Sequence, residues 1–285
     1  MPATNPRPNT ATLVARIAAM LRDADVPNAQ TEARWVVEAA SGRSSTELVA
    51  DPELDASIET KSIELARRRV AGEPLQYVTG VAGFRRLDLD VGPGVFVPRP
   101  ETELVAEKAM ERLPQGGTIV DVGTGSGAIA LAVADERPDA RVLATERFAD
   151  ALEWARRNRD KTGKDVEIVE SDLLDALPSE VRGRIDVVVS NPPYVPQSDR
   201  AKLPAEIVER EPHSALFGGP RGLDVIERLA RDAFEWLRKA GWLVLEMGAG
   251  HAESVRTLLQ TTGYADVRIG VDYADWPRVA EGRKP

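Results

Sequence analysis

Ile119-Val120-Asp121-Val122-Gly123-Thr124-Gly125-Ser126-Gly127 carries an apolar strand into a glycine-rich turn, and AIALAVA at residues 128–134 continues it as an apolar helix. Strand, glycines and helix in that order open an α/β unit, and the missing side chains let a ligand approach backbone amides and the helix N-terminus. The turn alone fits a nicotinamide or flavin enzyme equally well. Its spacing, however, is Gly-x-Gly-x-Gly rather than Gly-x-Gly-x-x-Gly, and Asp121 stands immediately before it. That combination favours an adenosine carrying a charged amino acid over a pyrophosphate.

Extended segments at residues 118–121, 141–145, 166–170, 185–190 and 242–246 are separated for the most part by helical ones. The alternation predicts a doubly wound parallel sheet, with ligands in the crevice at the carboxyl ends of the strands. Asp121 and the glycine turn end the first strand. Glu146 ends the second, about 20 residues on, where a carboxylate can accept both ribose hydroxyls. Asp172 ends the third, placed to meet an adenine edge with Leu173 against the ring, and Asn191 ends the fourth. Taken singly, Glu146 and Asp172 read equally as helix caps or first-turn acids. Converging on one crevice, the four strand ends predict a site for S-adenosylmethionine, with Gly123, Thr124, Gly125, Ser126 and Gly127 cradling it.

The fourth strand end reads Asn191-Pro192-Pro193-Tyr194. Each proline pushes the residue before it toward extended backbone, so the segment has few conformations to lose on binding. The Asn191 side-chain carbonyl and the Pro192 main-chain carbonyl can each accept one hydrogen from a planar amino group, while the Tyr194 ring covers its flat face. These four are the predicted catalytic residues, holding an NH2 group as nucleophile. The alternative is a proline-stiffened turn closing a strand.

A chain of 285 residues has material for one large α/β domain and a smaller one. It has no cysteine, which excludes disulfides, iron-sulfur clusters and thiolate catalysis. His213 and His251 are its only imidazoles, too far apart for a helix-borne metal pair, and neither is given a catalytic role. The formal net charge of -9 argues against a long basic track for nucleic acid and suits a basic protein partner. No apolar run approaches the roughly 18 residues that suggest a membrane span. Residues 1–10 carry no apolar signal core, so a cytoplasmic location is expected.

Leu13, Ile17, Met20 and Leu21 recur at helical spacing, as do Trp35, Val36, Ala39 and Ala40 after a cap at Asn28. The N-terminal segment therefore reads as a helical bundle. A third helix is expected at residues 56–70, with Arg67, Arg68 and Arg69 either complementing its dipole or forming a partner patch. Leu87, Leu89 and Val91 alternate with Asp88 and Asp90 as one strand of a connecting hairpin. Residues 263–279 hold two short extended segments, consistent with a closing antiparallel hairpin.

Beyond these local readings, the chain resembles the HemK/PrmC-type protein-(glutamine-N5) methyltransferases, which modify the Gly-Gly-Gln glutamine of class I peptide chain release factors. The resemblance rests on Gly72-Glu73-Pro74-Leu75-Gln76-Tyr77 with Gly80, on Phe96-Val97-Pro98-Arg99-Pro100-Glu101-Thr102-Glu103, and on the glycine and Asn-Pro-Pro-Tyr turns. Glu211-Pro212, Ala215-Leu216 and Asp272-Tyr273 with Arg278 extend it over nearly the whole chain. It implies a Rossmann-like class I S-adenosylmethionine-dependent methyltransferase sheet with a terminal antiparallel hairpin, preceded by a small helical bundle that recognises the substrate. It also implies S-adenosylhomocysteine as product, and Phe96, Arg99 and Thr102 in the wall of the cofactor pocket. From the residues alone, Pro100 followed by Glu101 and Glu103 is simply a good helix start. The expected partition is a recognition domain at residues 1–73, a connecting hairpin and linker at 74–97, and a catalytic domain at 98–285.

Two positions depart from the family pattern. Glu146 stands where Asp is more usual, and Arg147-Phe148 replaces a small polar helix start, leaving the cap of the next helix unassigned. A competing reading is an adenine- or cytosine-amino methyltransferase on DNA or RNA, using the same turn on a flipped base and binding in a salt-sensitive way. Another is a non-catalytic cofactor-binding regulator, in which the acceptor turn would have no task.

Overall fold

The computed structural model describes residues 9–285, so the reading of residues 1–10 as free of a signal core falls almost wholly outside it. The chain divides into two compact units. One runs to Val81 and includes Ala205–Arg210; the other comprises Ala82–Pro204 and Glu211–Pro285. Among the described residues, no helix is long and apolar enough to cross a membrane, and no cluster of side chains is suited to hold a metal ion.

The first unit is built from helices Thr10–Asp23, Ala29–Ser41, Ser45–Ala50, Ala56–Val70 and Leu75–Thr79. Leu13, Ile17 and Leu21 are buried, as their four-residue spacing predicts. Trp35 is not part of this core and stays 48% exposed, because the buried stripe of its helix runs through Ala29, Ala33, Val36, Val37 and Ala40. Asn28 sits at the start of that helix in the left-handed region, with φ 54°, and its side chain caps nothing. The three consecutive arginines have separate fates. Arg69 is buried, donating to Glu32 at 2.7 Å and to Glu206 at 2.6 Å, and so ties Ala205–Arg210 into the unit. Arg68 clamps Glu73 and the Tyr77 carbonyl, leaving Arg67 as the exposed one.

β1 (Val81–Phe84), which begins on the last residue of the first stretch of unit one, and β2 (Leu87–Asp90) form a two-stranded sheet. The large sheet contains β3 (Thr118–Val122), β4 (Arg141–Glu146), β5 (Glu167–Glu170), β6 (Ile185–Ser190), β7 (Leu237–Glu246), β8 (Ala265–Val271) and β9 (Pro277–Arg283), in the order β5-β4-β3-β6-β7-β9-β8. The first five in that order are parallel, and β9 inserts antiparallel between β7 and β8. β6 is buried at every position, because helices cover both faces and neither face meets water. Alternate residues of a strand supply opposite cores: Val120, Val122 and Val188 enter one, Ile119, Val187 and Val189 the other. β7 begins at Leu237, five residues earlier than expected, with a register shift against β6 between Ile185 and Val187. β9 likewise continues to Arg283.

The chain winds outward from β3 through β4 to β5 and then returns to lay β6 on the other side of β3. β3 and β6 are parallel neighbours, so the turns at their carboxyl ends open side by side at the point where winding reverses.

Candidate active site

The turn after β3 has Gly123, Gly125 and Gly127 at φ 69°, 59° and 87°, a region that L side chains enter at a cost. Its amides were expected to receive a ligand, but several are already engaged. Gly123 N and Thr124 N donate to the Thr145 carbonyl of β4 at 2.8 and 3.0 Å, Gly125 N to Glu146 Oε2 at 3.0 Å, and Gly127 N to the Thr124 carbonyl. What the glycines leave is space. A Cβ at Gly123 would meet no atom within 4 Å, whereas one at Gly127 would lie 2.9 Å from Leu131 Cδ1. Gly127 therefore serves helix packing and stands off the cavity wall, while Gly123, Thr124, Gly125 and Ser126 line it.

Asp121 is buried at the base of this turn. Its Oδ2 accepts from the Thr124 hydroxyl at 2.6 Å and from Ala130 N at 3.1 Å; its Oδ1 is buried with no partner. Burial pushes the carboxyl up to about 7, the two donated bonds oppose that, and the charge of Glu146 adds to it. An unpartnered carboxylate oxygen beside a cavity is a socket for a cation. It fits the amino group of the expected cofactor.

The helix after β4 has Phe148 at its N-cap with no side-chain cap, and Glu146 instead holds the two residues that lead into it. Its Oε1 accepts from Arg147 N at 2.8 Å and Phe148 N at 3.0 Å, just before helix Ala149–Thr162, while Oε2 holds Gly125 N. Three of about four acceptor positions are thus used, leaving one for a ribose hydroxyl. Asp172, expected at the adenine edge, is off the wall. β5 ends at Glu170 and the backbone enters the left-handed region at Leu173, which lines the cavity while Asp172 pairs with Arg147 at 3.5 Å and Arg228 at 3.2 Å. Arg99 is also off the wall. It pairs with Glu211 and lies 4.8 Å from the Phe96 ring centroid, so it braces Phe96, which does line the cavity.

Asn191, Pro192, Pro193 and Tyr194 line the same cavity, which spans about 1120 Å³ including its open mouth, room for a nucleoside-sized ligand and an approaching side chain. Thr102 lines it too, with its hydroxyl bonded to both Asn191 and Glu246. Asn191 Nδ2 donates to Thr102 Oγ1 at 3.0 Å, Thr102 Oγ1 donates to Glu246 Oε2 at 2.6 Å, and the Tyr194 hydroxyl donates to Glu246 Oε1 at 3.1 Å. Among the described residues, no donor reaches Asn191 Oδ1 or the Pro192 carbonyl. Burial raises the Glu246 carboxyl, opposed by the bonds from Thr102 and Tyr194 and by Arg278. Burial first, and then the charge of Glu246, holds the Tyr194 hydroxyl above its usual range.

Sequence reading missed Glu246, although it is the acidic end of the fifth strand and the rule that found Glu146 would have found it. It also missed the wall at Pro212, Ser214 and Leu216, held by Val195 N donating to the Leu216 carbonyl at 2.9 Å. Neither histidine lines the cavity.

Residues 87–219 match the family described as Methyltransferase small domain, and residues 12–80 match the PrmC N-terminal domain. A release factor glutamine methyltransferase of Streptomyces coelicolor is 42% identical over 95% of this chain and 96% of its own. One from Burkholderia pseudomallei is 40% identical over the full length of both. Among solved structures, a methyltransferase from Pyrococcus furiosus is similar in fold, with a TM-score of 0.54 at 22% identity over 70% of this chain and 89% of its own.

Proposed function

The chain belongs to the release factor glutamine methyltransferases, and from that premise we propose that its cavity methylates the side-chain amide nitrogen (N5) of the Gly-Gly-Gln glutamine in class I peptide chain release factors. The enzyme depends on S-adenosylmethionine and releases S-adenosylhomocysteine. When bound, that cofactor supplies a methyl group on a sulfonium sulfur. Asp121 Oδ1 would hold its amino group, Glu146 a ribose hydroxyl, and Leu173 and Phe96 its apolar surface.

The observation that carries the reading is the Asn191 amide, whose nitrogen is held by Thr102 while its carbonyl stays available in the cavity wall. A glutamine amide nitrogen is a poor nucleophile because its lone pair is delocalised, as the roughly 18–20 kcal/mol barrier to amide rotation shows. Placement must compensate. Asn191 Oδ1 and the Pro192 carbonyl accept one N–H each, which aims the nitrogen and stabilises positive charge as it develops there. Because the two prolines stiffen the turn, these acceptors need little reorganisation. Tyr194, pinned through its hydroxyl, covers the face of the substrate amide.

Recognition of the release factor is assigned to residues 1–73, connection to 74–97 and catalysis to 98–285. Of the three consecutive arginines, Arg67 is the exposed one and suited to steer a protein partner. The assignment places the enzyme in the cytoplasm and predicts no stable complex with nucleic acid. Mass spectrometry of a purified release factor incubated with enzyme and S-adenosylmethionine tests it. One methyl group on the Gly-Gly-Gln glutamine is expected; methylation of nucleic acid instead, or of neither, would overturn it.

A further inference from the structure

A primary amide presents a donor and an acceptor of nearly equal size, so a cavity that uses Asn191 as an acceptor must dictate which end faces it. A carboxylate can do so through an intervening hydroxyl. Glu246 accepts through both oxygens, and its Oε2 takes the Thr102 proton across 2.6 Å. The Thr102 oxygen then has only lone pairs for Asn191, which must turn Nδ2 toward it at 3.0 Å and leave Oδ1 for the cavity. The other Glu246 oxygen accepts from Tyr194 at 3.1 Å. One buried group thus reaches both polar side chains of the acceptor turn, from the end of the adjacent strand β7.

We propose that Glu246 is the positioning residue of the acceptor turn, setting the orientation of the Asn191 amide through the Thr102 hydroxyl and the placement of the Tyr194 ring through its own. This rests on the reading of Asn191 as acceptor for the substrate amide. Glu246 touches neither substrate nor cofactor in this role. It acts by making Thr102 a donor in one direction and an acceptor in the other.

In Glu246→Gln, an amide can turn its NH2 toward Thr102, whose proton is then free for Asn191 Oδ1. The outward-facing acceptor is lost in part of the population. In Thr102→Val the link is absent while the buried carboxylate remains. Each variant should lower kcat on a purified release factor by about tenfold, the effect of misdirecting one hydrogen bond at the reacting group. The KM for S-adenosylmethionine should stay within about twofold, since the binding of the cofactor does not use the relay, and Thr102→Ser should restore kcat.

A double-mutant cycle separates positioning from mere structural support. Asn191→Asp presents two acceptors whichever way it turns, but with Glu246 intact the two carboxylates compete for one Thr102 proton. With Glu246→Gln the competition ends, so Asn191→Asp should be more active beside Gln than beside Glu. Losses that simply add in this cycle, or wild-type kcat in both Glu246→Gln and Thr102→Val while Asn191→Ala is inactive, would overturn the positioning role and leave the acceptor reading standing. Full activity of Asn191→Ala would remove the acceptor reading, and the positioning role with it.

Discussion

The turn after β3 is braced by the strand beside it, with Gly123 N and Thr124 N both bonded to the Thr145 carbonyl. The turn after β6 is braced by side chains from remote parts of the chain, Thr102 lying 89 residues from Asn191 and Glu246 lying 52 from Tyr194. A backbone brace survives most side-chain substitutions nearby. A relay of single hydroxyls and carboxylates fails at one. The cofactor half of the cavity should therefore degrade gradually under mutation and the acceptor half abruptly.

The largest effect is expected at Asn191→Ala. Methyl transfer at saturating cofactor should fall on the order of a hundredfold or more, as for loss of an oriented group that stabilises developing charge. The thermal midpoint should barely move, because β6 and both prolines remain. Turnover near that of the wild type would erase the contrast between the two turns.

Glu146→Ala probes the other half. Removing a charged acceptor costs about 1.5–3 kcal/mol, so cofactor affinity should weaken by roughly ten- to a hundredfold in calorimetry. Stability should drop as well, since Gly125 N, Arg147 N and Phe148 N lose their acceptor. A fall in stability with unchanged affinity would confine Glu146 to bracing the backbone on either side of it.

Asp121 should make cofactor binding sensitive to pH. Its carboxyl, ordinarily at 3.8, is pushed up to about 7. The folded apoprotein therefore binds this proton more tightly than the unfolded chain does. The stability it contributes is present below the usual carboxylate range and is lost as pH rises through about 7, so the wild type should weaken relative to Asp121→Asn over that window. Binding of a cationic amino group requires the ionised form. Cofactor affinity should consequently rise by up to about tenfold per pH unit below pH 7 and then level off, with a proton released on binding. Calorimetry in buffers of different ionisation enthalpy measures that proton, and a flat profile in the wild type would exclude Asp121 from the amino-group role.

The smallest effects separate two glycines of one turn. Gly127→Ala forces a Cβ against Leu131 in a left-handed backbone and should lower stability by about 1–3 kcal/mol. Gly123→Ala meets no protein atom, so it should lose only the backbone term, about 1–2 kcal/mol, while weakening cofactor binding by occupying the open face. Equal affinity in the two variants would show that the space at Gly123 is not used by the cofactor.

Legibility followed the range of the interaction. Glu146 was readable because its position after an apolar strand is a local property, and so was the glycine turn. The reading of Asp172 followed the same rule and put it in the cavity, but two arginines hold it outside because the left-handed turn at Leu173 redirects the chain. Thr102 was placed in the cavity by resemblance alone, and its bonds to Asn191 and Glu246 are visible only in the folded chain. In the helical unit, spacing correctly buried Leu13, Ile17 and Leu21, yet the run of three arginines could not reveal which one faced Glu32.

The amino-acid sequence by itself determined the alternation of strands and helices, the two turns at the carboxyl ends of β3 and β6, and the stiffness of the acceptor segment. Apolar periodicity, glycine and proline act over a few residues and need no partner to be read. Tertiary structure alone decided which oxygen of Asp121 stays unpartnered, that Glu146 braces the glycine turn and the segment leading into the next helix, and which way the Asn191 amide faces. Those outcomes depend on the directions of hydrogen bonds between groups up to 144 residues apart in the chain, and a direction exists only once both partners have been placed.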